Sequence, residues 1–134
     1  MGQHLQLYAS KVVSLESARV WCRLKFDYYA NPDKVESGIR SEVESEIGRL
    51  FRDKNDHLEH WSNFAGPACY PFLDCEAHIC DEALIERAEK AAVEFGKQPY
   101  ILQRYPDHDW ANDSIIQFLK NHLGYVVWGY NDGV

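Results

Sequence analysis

Arg19–Tyr29 reads RVWCRLKFDYY, and the way this stretch turns its side chains decides the fold. Read at period two, Val20, Cys22, Leu24, Phe26 and Tyr28 point one way, and Trp21, Arg23, Lys25 and Asp27 point the other. Strict alternation predicts a half-buried strand. HLQLYASKVV, just upstream, repeats the pattern more weakly through Leu5, Leu7 and Ala9. The two runs together predict an N-terminal β-hairpin with its turn inside SLESA. On this reading Val20, Cys22, Leu24 and Phe26 share a core face, and Leu24→Ala costs about 2–5 kcal/mol. Solvent exposure of Leu24 and Phe26 overturns it.

Downstream, NPDKVESGIRSEVESEIGRLFRDK carries Val35, Ile39, Val43, Ile47, Leu50 and Phe51 at helical spacing. Asn31 suits the N-cap, Pro32 the first helical position, and Glu36–Arg40 the i,i+4 offset. Asn55–Cys80 has no period and is too long for a structureless loop, so it is functional or hides short elements. A second helix follows, capped by Asp81, with Leu84, Ala88, Ala91, Ala92 and Phe95 on one face and Gly96 as its stop. Tyr100–Tyr105 reads as a strand, DSIIQFLKNHLG as a third helix ending at Gly124, and YVVWGY as a last strand.

The order β-β-α-loop-α-β-α-β predicts an α+β (or mixed α/β) fold in a single globular domain, residues 1–134. We expect one mixed sheet of about four strands. The N-terminal hairpin and a C-terminal, right-handed βαβ unit supply it, with about three helices packed on it.

The 134 residues hold 14 basic and 21 acidic side chains, a net charge of −7. Nearly all of the excess lies in the second half. Such a surface repels phosphate backbones, and there is no local basic patch, so direct nucleic-acid binding is not expected. A basic protein partner is favoured instead, because complementary charge speeds encounter. No apolar run approaches the ~18 residues of a membrane span, and MGQHLQLYAS lacks the basic and apolar regions of a secretory signal. The four cysteines are too few for a disulfide scaffold, which points to reduced thiols in a cytoplasmic protein. A Gly-rich phosphate loop and a GxSxG elbow are both missing.

Chemistry has three candidate places. In HLEHWSNFAGPACYPFLDCEAHIC, His57, His60, Cys75 and His78 could enclose a tetrahedral zinc, with Cys69 or Cys80 substituting. The spacing matches no common finger, and cysteine packs readily in cores, so zinc is the alternative and an aromatic packed loop the expectation. In RYPDHDWAND, the carboxylates of Asp107 and Asp109 flank His108 where a strand would end and a helix begin. That set could do acid–base work in a metal-assisted hydrolase, although Asp109, Asn112 or Asp113 could equally cap the helix. The third place is an acidic and aromatic surface of Trp61, Tyr70, Phe72, Asp74, Glu76, Glu82, Glu86 and Glu89, with Asp81 beside them.

The expectation from size, charge and aromatic content is a small acidic inhibitor, a monomer or homodimer, that blocks a larger basic protein. Toxin-neutralising immunity proteins and phage inhibitors of host defence share that profile. The alternative is a small hydrolase using His57–Cys80 or Asp107–Asp109.

Overall fold

The computed structural model describes residues 3–30, 35–53, 58–63 and 66–133. Its elements are β1 (Gln3–Ser10), α1 (Leu15–Ala30), α2 (Val35–Glu44), α3 (Glu46–Asp53), β2 (Glu59–Asn63), α4 (Gly66–Cys69), β3 (Ala77–Ile79), α5 (Glu82–Gly96), α6 (Pro99–Arg104), α7 (Ser114–Lys120) and β4 (Val126–Gly133). Short 3₁₀ turns lie at Pro71–Leu73 and Trp110–Asn112.

The strands form one sheet in the order β2-β1-β4-β3. β1 and β4 run antiparallel from Gln3↔Gly133 to Ser10↔Val126. Leu5, Leu7, Ala9 and Val127 face one core, which α4, α5, α7 and the Pro71–Leu73 turn close. Tyr8, Val126, Trp128 and Ala77 face the other, which α1 and α3 close. The class is therefore α+β, one four-stranded sheet covered on both faces.

Arg19–Tyr29 is helical, and this corrects the hairpin. α1 buries Ala18, Trp21 and Cys22 and packs Leu15 beside them, a helical stripe and not an alternating one. Phe26 is 60 % exposed and Val20 43 %, while Leu24 is only half-buried. Ser14 decides the matter locally: its hydroxyl accepts from the Ser17 amide at 3.1 Å, an N-cap with Glu16 in the first turn. β1 instead pairs with β2 on one side and β4 on the other.

Tyr100–Tyr105 is likewise no strand. Pro99 sits at the start of α6, where a missing N–H costs nothing. Every pairing among the described residues is antiparallel, so the sheet is not mixed and holds no βαβ unit. The helix expected over 31–53 is two helices where it is described. The Ser45 hydroxyl divides them, donating to the Glu42 carbonyl and accepting from the Gly48 amide. Asn31, Pro32 and the Glu36 side chain lie outside the described residues.

Asp81 caps α5 as expected, accepting from the Leu84 amide at 2.8 Å. α5 ends at Gly96, where its stop was expected; Gly96 is also buried, and a Cβ there would fall within the Trp110 ring. Gly124 takes a left-handed φ of 85° in the turn before β4.

Cys75 also takes a left-handed φ, 54°, at the entry to β3. Its amide donates to the Gly129 carbonyl at 2.9 Å, while the Gly129 amide donates to the Glu76 carbonyl. Two residues of one strand thus oppose one of the other, a bulge with a non-glycine residue in the left-handed position. Gly129 is required opposite it, because a Cβ there would lie 2.7 Å from the Leu73 carbonyl oxygen. Gly129→Ala is expected to lower stability by about 1–3 kcal/mol through overpacking against backbone. Cys75→Gly is expected to hold or raise it, by up to about 1 kcal/mol. Urea midpoints of the two variants check both.

Candidate functional site

Tyr70 meets Asp113, and through it His108, although it lies far from them in the chain. Tyr70 leads into the Pro71–Leu73 turn and is fully buried. Its hydroxyl donates to Asp113 Oδ2 at 2.7 Å. Asp113 occupies the N-cap position of α7, yet its side chain caps nothing. Its other oxygen, Oδ1, lies 3.2 Å from His108 Nε2. Burying a carboxylate is costly unless its lone pairs are matched, and these two contacts match them. His108 stands half-exposed with its ring edge-on to Trp110, 4.3 Å between centroids. Trp110 in turn rests in the notch left by Gly96. The result is an imidazole held in one orientation with one nitrogen engaged, a geometry suited to proton exchange.

Asp107 and Asp109, proposed to flank His108 in the chemistry, are both exposed. Asp109 accepts from the Asn112 side chain at 2.7 Å. His108 is thus engaged by Asp113, a residue expected only as a cap. Long-range pairing with Tyr70 left no periodic signal in the sequence.

The zinc set does not converge. His57 lies outside the described residues. His60 is on β2, 2.6 Å from Gln6 Oε1, and burial lowers its pKa. His78 is on β3, 3.0 Å from the Phe72 carbonyl and 3.4 Å from Glu76. β2 and β3 are opposite edges of the sheet, roughly 14 Å apart at ~4.8 Å per strand. Among the described residues no group of three His, Cys, Asp or Glu side chains is placed to hold a metal.

The expected contact surface is partly core. Tyr70 and Phe72 are buried, so neither presents an anchor, and Trp61 is half-buried against the same cluster. Asp74 accepts from the Asn131 amide at 2.8 Å. Glu82 is exposed, Glu86 lies 3.3 Å from Lys90, and Glu89 lies 3.3 Å from Lys120. Apart from Phe26 on α1, the exposed aromatic groups among the described residues gather on and just after α6. None of its residues is buried, Tyr100 is 65 % exposed, and Leu102 and Tyr105 stand out beside it.

The thiols are free in this structure, and burial is the leading cause that raises each of them. Cys22, Cys69 and Cys75 are pushed up to about 12 and Cys80 to about 11. Cys80 also donates to the Leu119 carbonyl. Burial likewise raises the Tyr70 hydroxyl, with Cys69 and Asp113 adding to it, so Tyr70 remains a donor.

No family model, curated protein or solved structure matches this chain.

A Tyr70→Phe, Asp113→Asn double-mutant cycle is expected to show a coupling of about 1.5–3 kcal/mol, since the bond joins a buried hydroxyl to a carboxylate. Additive effects would sever the chain at that point. Alkaline pH supplies a second prediction. The folded state holds thiol protons that the unfolded chain releases near the ordinary value of 9.0. Stability from these groups is complete below that pH and is lost as pH rises through about 9–12. The midpoint of thermal unfolding is expected to fall between about pH 8 and pH 10.5, and a flat profile would contradict it.

Proposed function

We propose that this chain is a small acidic binding protein of the cytoplasm that blocks a larger, basic protein partner. The observation that carries this reading is α6, a helix that buries none of its residues yet presents Tyr100 and Leu102, with Tyr105 directly after it. Large apolar and aromatic side chains are seldom grouped on a surface without use, and Tyr and Arg dominate the centres of interfaces. Arg104 lies among them, donating to the Tyr100 hydroxyl at 3.1 Å. The net charge of −7 supplies attraction at a distance toward a basic partner. The contact itself forms through the aromatic group. Glu82 and Glu86 add exposed carboxylates on α5, tempered by the Lys90 partner of Glu86.

A second reading, a hydrolase with His108 as general base, is supported by the Tyr70–Asp113–His108 chain. A panel of ester and phosphoester substrates tests it. Turnover that His108→Ala abolishes while the fold persists would favour it.

For the binding reading, Tyr100→Ser with Leu102→Ser is expected to leave stability within about 0.5 kcal/mol, because neither side chain is buried. It should weaken an affinity-captured partner at least about tenfold, mainly through faster dissociation. Reversing Glu82, Glu86 and Glu89 to Lys should instead slow association, and that loss should shrink as salt shortens the screening length below ~8 Å. A partner indifferent to both sets of substitutions would remove the reading.

A further inference from the structure

β3 is one of the two edges of the sheet, and it pairs with β4 alone among the described strands. Cys80 exchanges bonds with Tyr125 and Gly124, and the Glu76 carbonyl accepts from Gly129. In an antiparallel ladder alternate residues bond the neighbour, so Glu76, His78 and Cys80 face β4. The amide and carbonyl groups of Ala77 and Ile79 therefore face outward. Two clefts meet at this edge. One, of about 300 Å³, is lined by Arg19, Cys22, Cys75, Glu76, Ala77 and His78. The other, of about 290 Å³, runs from Arg19 and His78 past Ile79 to Asp81, Leu84 and Arg87. Ile79 itself is 44 % exposed.

The charges in these clefts are not balanced. Arg19 projects from α1, on one face of the sheet, and Arg87 from α5, on the other. Among the described residues neither has a carboxylate within ion-pair distance, although Arg87 lies over the Phe72 ring at 4.3 Å. The two carboxylates nearby are engaged otherwise, Asp81 on the Leu84 amide and Glu76 beside His78. An acidic protein thus holds two unpaired guanidiniums on either side of an open strand edge.

The geometry points to a second binding function, distinct from the α6 surface: β3 takes up an extended acidic segment of another protein as an added strand. Main-chain bonds to Ala77 and Ile79 would supply affinity, as in other strand additions. Successive side chains of an added strand alternate between faces, so carboxylates at an odd spacing reach Arg19 on one side and Arg87 on the other. Guanidinium and carboxylate match as a fork, which adds selectivity for acidic segments.

The test is selection of the full chain against a displayed library of random heptapeptides, followed by binding of the selected peptide. Enrichment of Asp and Glu at an odd spacing is expected, with amide resonances of Ala77 and Ile79 shifting on titration. Arg19→Glu should weaken binding at least about tenfold, since Arg19 is exposed and its loss leaves the core alone. Ile79→Pro removes only an outward amide, so it should keep the ladder to β4 and abolish binding. N-methylation of alternate peptide amides should do the same. Selection of no peptide, enrichment of basic residues, or binding unchanged in Arg19→Glu overturns the proposal. So does a self-associated dimer that Ile79→Pro dissolves while peptide is ignored, because the edge would then belong to a second copy.

Discussion

The ladder between β1 and β4 is the constraint from which the other contacts follow. It is eight residues long and central in the sheet, so both strands send apolar side chains to both cores. β1 meets this with Leu5, Leu7 and Ala9 toward one core and Tyr8 toward the other. β4 meets it with Val127 one way and Val126 and Trp128 the other. Tyr8 and Trp128 stand opposite each other in register and stack at 5.9 Å, joining α1 and α3 to the sheet. With the centre filled, β2 and β3 remain as the edges among the described strands.

How much of this was legible in the sequence depended on whether the deciding contact was local. The cap and stripe of α5, the stripe of α7, and the last strand could be read because Asp81, Leu84, Ala88 and the Ile115–Ile116 pair signal within a turn or two, whereas α7 ends at Lys120, short of the expected stop at Gly124. α1 misled because its apolar residues satisfy two periods at once. Val20, Leu24 and Phe26 complete an alternation, yet the structure leaves Val20 and Phe26 in solvent and buries the stripe through Ala18, Trp21 and Cys22. Ser14 and Glu16 were the contrary signal, since a cap weighs against a strand even where alternation holds. Pro99 was a similar signal at α6. β2 and β3 could not be read at all. Each is short, and each exists because a central strand needed a partner.

The same distinction governs the sites. A cluster that is close in sequence, such as Asp107–His108–Asp109, stays apart in function when one member turns toward the core. His108 turns to Asp113, and the carboxylates beside it remain at the surface. Tyr70 and Phe72 look like anchors in a list of residues and prove to be packing. Conversely, a strand-like PYILQR becomes a helix that buries nothing, and its aromatic residues gain their meaning from that. Residues far apart in the chain gave no such forewarning, since Arg19 and Arg87 share a cleft only through the closing of both layers on β3.

The strand order has a consequence for how the chain is made. Of the described elements β1 leaves the ribosome first and β4 last, yet they are neighbours at the centre of the sheet. Until residues 126–133 emerge, the N-terminal strand has no β4 to close its second edge, and β3 has no sheet to join. Pairing across so long a stretch of sequence is entropically slow to establish. Leu5, Leu7 and Tyr8 therefore spend much of synthesis exposed, an interval in which strands readily find wrong partners. Helices α1, α5 and α7 can form early from local contacts, but the layer they cover must wait for the final strand. A nascent chain halted just short of Val126 would hold its helices and lack its sheet centre.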